Sequence, residues 1–96
     1  MLLTAPPLIT SCPGNISLLA GEEVRMVCKA EGSPQPWVEW KKDNQQVGGA
    51  SGQSEAVLVF REATRTDGGL YTCLAQNVFG TDLKNLQVVV KCKCFK

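Results

Sequence analysis

Sulfur is the reactive element this chain carries in excess: five cysteines, Cys12, Cys28, Cys73, Cys92 and Cys94, fall within 96 residues. Thiols can pair as disulfides in an oxidising compartment, ligate a soft metal, or act as nucleophiles. The nucleophilic option needs a base, and the chain has no histidine, so neither a Ser-His-Asp nor a Cys-His arrangement can form within it. The metal option fails on spacing, since Cys92-x-Cys94 lacks further ligands at zinc distances. Glu62 and Asp67 offer a carboxylate pair, but both lie on one turn ahead of Tyr71. Gly48-Gly49-x-x-Gly52 sits between strands and not ahead of a helix, so it reads as a connection and not as a phosphate cradle. No catalysis, no metal and no cofactor are expected.

The elements that must position these sulfurs are strands. Val24, Met26, Cys28 and Ala30 alternate as one buried face, and the rhythm resumes through Gly32, Pro34 and Pro36 into Val38 and Trp40. Leu58-x-Phe60-x-x-Ala63 leads into Asp67-x-Gly69-x-Tyr71-x-Cys73, followed by Ala75-x-Asn77-x-x-Gly80. Leu8 to Ser11 and Ile16 to Leu19 read as two halves of a first strand, broken at Cys12-Pro13-Gly14, where proline suits an edge that changes sheet. The other expected strands are Glu22 to Ala30, Trp37 to Lys42, Ala56 to Phe60, Gly69 to Asn77 and Leu83 to Lys91. Gln45 to Val47 makes at most a short edge, and Glu62 to Thr66 a helical turn. The expected organisation is a linker over 1–7, one domain over 8–91, and a cysteine-bearing tail over 92–96 that leads to a neighbour.

From about Val24 to Gly80 these residues resemble the immunoglobulin superfamily, and within it the I-set. The resemblance implies an all-β, two-sheet sandwich with a disulfide between Cys28 and Cys73 joining the sheets. Trp40 would pack on that bond, Tyr71 would anchor the corner before the second cysteine, and Asp67 with Gly69 would shape the turn leading to it. A chain near the ~100 residues of such a sandwich makes one core. A bond between Cys28 and Cys73 would add roughly 4 kcal/mol by restricting the unfolded chain.

Three cysteines stand outside that frame. Cys12, Cys92 and Cys94 are expected to bond outside the chain or to make an atypical internal bond, with free thiols and a Cys92-x-Cys94 bridge as the other readings. In the family the second half of the first strand runs parallel to the last strand, which sets Cys12 near the level of Leu83. At ~3.3 Å per residue that is some 25 to 30 Å from Cys92, whereas a disulfide needs Cα atoms within about 7 Å.

Function follows from surface and compartment. Ten basic and nine acidic residues give a net charge of +1, without the concentrated positive face that nucleic acid requires. No apolar stretch approaches the ~20 residues of a membrane helix, and Met1-Leu2-Leu3 before Pro6-Pro7 is too short for a secretory leader. Asn15-Ile16-Ser17 is a glycosylation sequon, and with the cysteines it points to the secretory route. Strand alternation turns Trp37, Glu39, Leu70, Thr72, Leu74 and Val89 outward on one sheet, with Phe79 at a hairpin tip. Trp37, Leu74, Phe79 and Val89 are therefore the candidate protein-binding residues, and a homodimer through the face carrying Trp37 is one form of partner. The resemblance implies protein–protein contact in an extracellular or cell-surface protein, as in adhesion, receptor ectodomains or matrix scaffolds. Its alternatives are an intracellular, sarcomere-type structural domain of the titin kind and a ligand-binding domain of a receptor kinase.

Overall fold

A computed structural model of the chain describes residues 4–43, 45–47 and 52–92. Gly48 and Gly49, at the head of the glycine-rich stretch, and Cys94 lie outside these residues. Among the described residues, nine strands and a single turn of 3-10 helix follow one another: β1 Ala5–Ser11, β2 Ile16–Leu19, β3 Val24–Ser33, β4 Trp37–Lys42, β5 Gln45–Gln46, β6 Gly52–Gln53, β7 Glu55–Phe60, the turn Arg65–Asp67, β8 Gly69–Asn77 and β9 Gly80–Lys91.

The strands sort into two sheets. One has the order β1-β3-β7, and the other runs β2-β9-β8-β4-β5 with β6 added against β4. The break at Cys12-Pro13-Gly14 is where the chain changes sheet: β1 pairs antiparallel with β3, while β2 pairs parallel with β9, Ile16 opposite Val88. A proline lacking its N–H has no ladder bond to give there, so the edge can leave one sheet without orphaning a donor.

Period-two alternation builds the core. Met26, Cys28 and Ala30 of β3, Val38 and Trp40 of β4, Ala56, Leu58 and Phe60 of β7, Tyr71, Cys73 and Ala75 of β8, and Leu86 and Val88 of β9 are all buried. The same rule turns the intervening residues to solvent, so each sheet has one dry and one wet face. Among the described residues every buried side-chain polar atom has a hydrogen-bond partner.

Several elements differ from the sequence reading: β3 runs from Val24 to Ser33 and not from Glu22 to Ala30, and the helical turn is Arg65–Asp67 and not Glu62 to Thr66. β1 begins at Ala5, inside the stretch read as a linker, because Pro7 is buried and Asn77 Nδ2 donates to the Ala5 carbonyl at 2.9 Å. β9 begins at Gly80 instead of Leu83, since its hairpin with β8 pairs Asn77 with Gly80 directly across the turn. β6 was not expected at all. Gly52 and Gln53 pair with Val38 and Trp37, a partnership that no apolar pattern in the loop signals.

Candidate functional site

The structure joins Cys28 to Cys73, with Cα atoms 6.5 Å apart. The bond ties β3 of one sheet to β8 of the other, and both cysteines are fully buried. Trp40 is the cross-strand partner of Cys73. Its indole lies in the same core, 1 % exposed, and its Nε1 donates to the Ala56 carbonyl at 3.2 Å. One residue thus contacts both sheets, through its ring and through its single polar atom.

The corner ahead of Cys73 is held by three groups. Asp67 Oδ2 accepts the Thr64 backbone N–H at 2.8 Å, which closes the turn. That bond commits the Asp67 carboxylate to the backbone, and Glu62 is exposed. Gly69 sits at φ +142°, where a Cβ would also meet the Lys42 side chain at 3.1 Å, so only glycine fits without strain. Tyr71 donates its hydroxyl to the Asp67 carbonyl, and its ring meets Phe60 edge to face at 5.7 Å.

Burial, then the charges of Asp67 and Asp43, push the Tyr71 phenol up to about 12. The neutral phenol is therefore favoured in the folded state. Its contribution is fully present below about pH 10, where the unfolded chain also keeps the proton. It is lost as pH rises from there through the folded value, because the unfolded chain ionises first. Tyr71 is the one tyrosine, so an ultraviolet absorbance titration reads it directly. The folded chain should titrate near the raised value, and Tyr71→Phe should remove this alkaline component from the stability profile. A midpoint at the ordinary tyrosine value would contradict the corner geometry.

The outward face of the larger sheet carries the second cluster. Register places Glu39, Leu74 and Leu83 in one row across β4, β8 and β9, with Trp37, Gln76 and Thr81 in the next and Lys41, Thr72 and Asn85 on the other side. Trp37 is 48 % exposed and Leu83 51 %, while Leu74 between them is half-buried. The Trp37 indole N–H donates to Glu39 Oε1 at 3.2 Å, which orients the ring along the sheet and leaves it open to solvent. The edge strand β5 pairs with Lys41 and Lys42 and does not pair with Trp37. Leu83 was not among the residues singled out from the sequence. The signal was available in its odd-numbered phase opposite the inward Leu86 and Val88.

The remaining candidates are placed apart from this row. Val89 is exposed beside Ser17, its partner on β2. Leu70 is exposed opposite Gln87, and the polar pair Thr72 and Asn85, hydrogen-bonded at 2.6 Å, separates both from Leu74 and Leu83. Phe79 occupies the β8–β9 turn, exposed, with its N–H held by Asn77 Oδ1 at 2.8 Å. Asn15 is exposed at the start of β2, and its Oδ1 accepts the Gln87 N–H at 2.8 Å. A glycan bonded through Nδ2 would leave that acceptor in place.

Of the other cysteines, Cys12 is a half-buried free thiol. It lines a recess of about 320 Å³ with Lys84 and Asn85, the level on β9 that the parallel pairing dictates. Cys12, at the level of Lys84 and eight residues before Cys92, is a free thiol and makes no bond to Cys92, while Cys94 lies outside the described residues. Cys92 is not a free thiol. No helix among the described residues is long and apolar enough to cross a membrane.

Residues 6–77 match the family model described as "Immunoglobulin domain". Among curated proteins, the chain is 38% identical over 85 residues to hemicentin-2 of Mus musculus, covering 88% of this chain and 2% of the relative. It is 38% identical over 78 residues to vascular endothelial growth factor receptor 2 of Rattus norvegicus, covering 77% of this chain and 6% of the relative. The chain thus spans only a few per cent of the length of these relatives. Among solved structures, a chain of the titin and obscurin-like 1 immunoglobulin complex superposes with a TM-score of 0.82 at 28% identity, covering 95% of this chain and 99% of that one.

Proposed function

Because the chain belongs to the immunoglobulin-domain family, we propose that it is a non-catalytic recognition or spacer module of a larger extracellular or cell-surface protein. Its contact surface is the outward face of β4, β8 and β9. The observation that carries this reading is the cross-strand pair Leu74 and Leu83 with Trp37 exposed in the adjacent row, apolar groups on a face whose alternation calls for polar ones. Exposed apolar clusters of this kind mark interfaces, and tryptophan is over-represented among residues that dominate binding energy. Similarity to vascular endothelial growth factor receptor 2 supports a receptor-like setting. Fold similarity by itself would not assign the role.

Homophilic pairing is the directly testable form. A two-fold axis through this face would set Trp37 of one copy against Leu83 and Leu74 of another. Sedimentation velocity at rising concentration, with thiols blocked, should show association of the unaltered chain. Trp37→Ser with Leu83→Ser should weaken it by about 2 kcal/mol, roughly thirtyfold. Association that survives both substitutions would remove the face from the account.

The compartment has its own test. Expressed through a secretory route, the chain should carry a glycan at Asn15 that a glycosidase removes and Asn15→Gln prevents, seen as a mass difference. An unmodified Asn15 would favour the second reading, an intracellular structural module. That reading draws support from the titin and obscurin-like 1 complex, in which an immunoglobulin domain meets a protein partner.

A further inference from the structure

The sulfurs of Cys12, Cys28 and Cys73 all lie within 4.8 Å of one another. Three such ligands could suggest a metal site, but Cys28 and Cys73 are bonded to each other and have no thiolate to offer. What remains is a free thiol beside an intact disulfide, the arrangement that thiol–disulfide exchange requires. We propose that Cys12 is a resident attacking thiol for the core disulfide, so that the bond can move from Cys28–Cys73 to Cys12–Cys28 or Cys12–Cys73.

The step balances within the chain. Cys12 loses its proton to solvent, its thiolate attacks one sulfur of the pair, a new S–S bond forms as the Cys28–Cys73 bond breaks, and the displaced thiolate takes up a proton. Nothing is oxidised or reduced overall, and no co-reactant is needed. To bond, the Cys12 sulfur must close from 4.8 Å or less to the ~2.05 Å of a disulfide, a movement of up to about 2.8 Å. The local chain permits this. Cys12 lies between the end of β1 and the start of β2, where residues 12–15 belong to no ladder. Gly14 has nothing within 4 Å of its Cβ position, and the recess beside Cys12 gives the side chain room.

Access gives the exchange a consequence. Cys28 and Cys73 are shut off from solvent, whereas Cys12 is half-buried. An external thiol or disulfide therefore meets Cys12 first, and Cys12 relays its effect to the buried bond. Formation of Cys12–Cys28 would link β3 to the segment that follows β1 and release the covalent tie between β3 and β8. The charged group facing the thiol is Lys84 of β9, while Asp82 of β9 is engaged by the Ile9 N–H at 2.8 Å and Lys29 of β3 points outward to Glu55. Burial raises the Cys12 thiol above its ordinary value and Lys84 opposes that, so exchange is slow at neutral pH and quickens as pH rises.

The test is label mapping. The chain is held at mildly alkaline pH without reductant, quenched with N-ethylmaleimide and digested. Label is expected on Cys28 or Cys73 as well as Cys12, with the complementary Cys12 disulfide found in the unreduced digest. In Cys12→Ser, label at Cys28 and Cys73 should vanish, and dithiothreitol should reduce the core bond about tenfold more slowly than in the unaltered chain. Label confined to Cys12, or label at Cys28 and Cys73 that persists in Cys12→Ser, would overturn the proposal.

Discussion

Replacing both Cys28 and Cys73 by alanine should cost about 4 kcal/mol of stability, the chain-entropy value for a closed loop of this length. The two residues are 45 apart in sequence, so without the bond the unfolded ensemble gains the freedom of nearly half the chain. Domains of this size are stable by roughly 5 to 15 kcal/mol, and the variant should therefore fold weakly or only in part. Urea denaturation under non-reducing conditions measures the loss. The unaltered chain in reductant should move most of the way to the variant's curve, since both lack the same link. A variant within 1 kcal/mol of the parent would mean that strand pairing and the core carry the sandwich without the staple.

The two tryptophans should respond very unequally to the same change. Trp40→Ala empties the centre of the core next to Cys73 and removes the donor to the Ala56 carbonyl, and large-to-small changes at such sites cost about 3 to 5 kcal/mol. Trp37→Ala removes a ring that is half exposed and bonded only to Glu39 among the described residues, and surface changes of this kind stay within about 0.5 kcal/mol. Thermal unfolding of the two variants gives the contrast. Comparable losses at both positions would mean that Trp37 belongs to the core and not to a contact face.

What the sequence made legible was whatever rests on alternation with one face dry. Cys28, Trp40, Tyr71 and Cys73 lie where the odd-even pattern places them, and β4 and β8 have the expected ends, because a one-residue slip would carry every core side chain into water. The turn chemistry was legible for the same kind of reason: Asp67 supplies a short side-chain acceptor for the Thr64 N–H, and Gly69 adopts a φ that few other residues reach. Strands paired by context were not. β1 starts at Ala5 because Pro7 finds a buried seat and Asn77 reaches across to the Ala5 carbonyl, contacts between residues distant in the chain. β6 exists because β4 offers an unpaired edge to Gly52 and Gln53, and nothing in their own side chains favours a strand.

The candidate site divides similarly. Trp37 and Leu74 could be turned outward by phase alone, but that Leu83 stands directly opposite Leu74 depends on the register of β8 against β9. Phase also gave no distance between Val89, Leu70 and that row, which a hydrogen-bonded Thr72 and Asn85 pair interrupts. Cys12 is the sharpest case. Its level along β9 followed from the parallel pairing of β2, yet its approach to the core sulfurs depends on how the broken edge turns inward between the sheets.

The most direct measurement of the proposed recognition face is a nuclear magnetic resonance titration of the isotope-labelled chain with its unlabelled copy, thiols blocked. Shifts gathered at Trp37, Leu74 and Leu83 with their neighbours on β4, β8 and β9 are the predicted result. Shifts gathered on β1, β3 and β7, or a spectrum unchanged at every concentration, would contradict it.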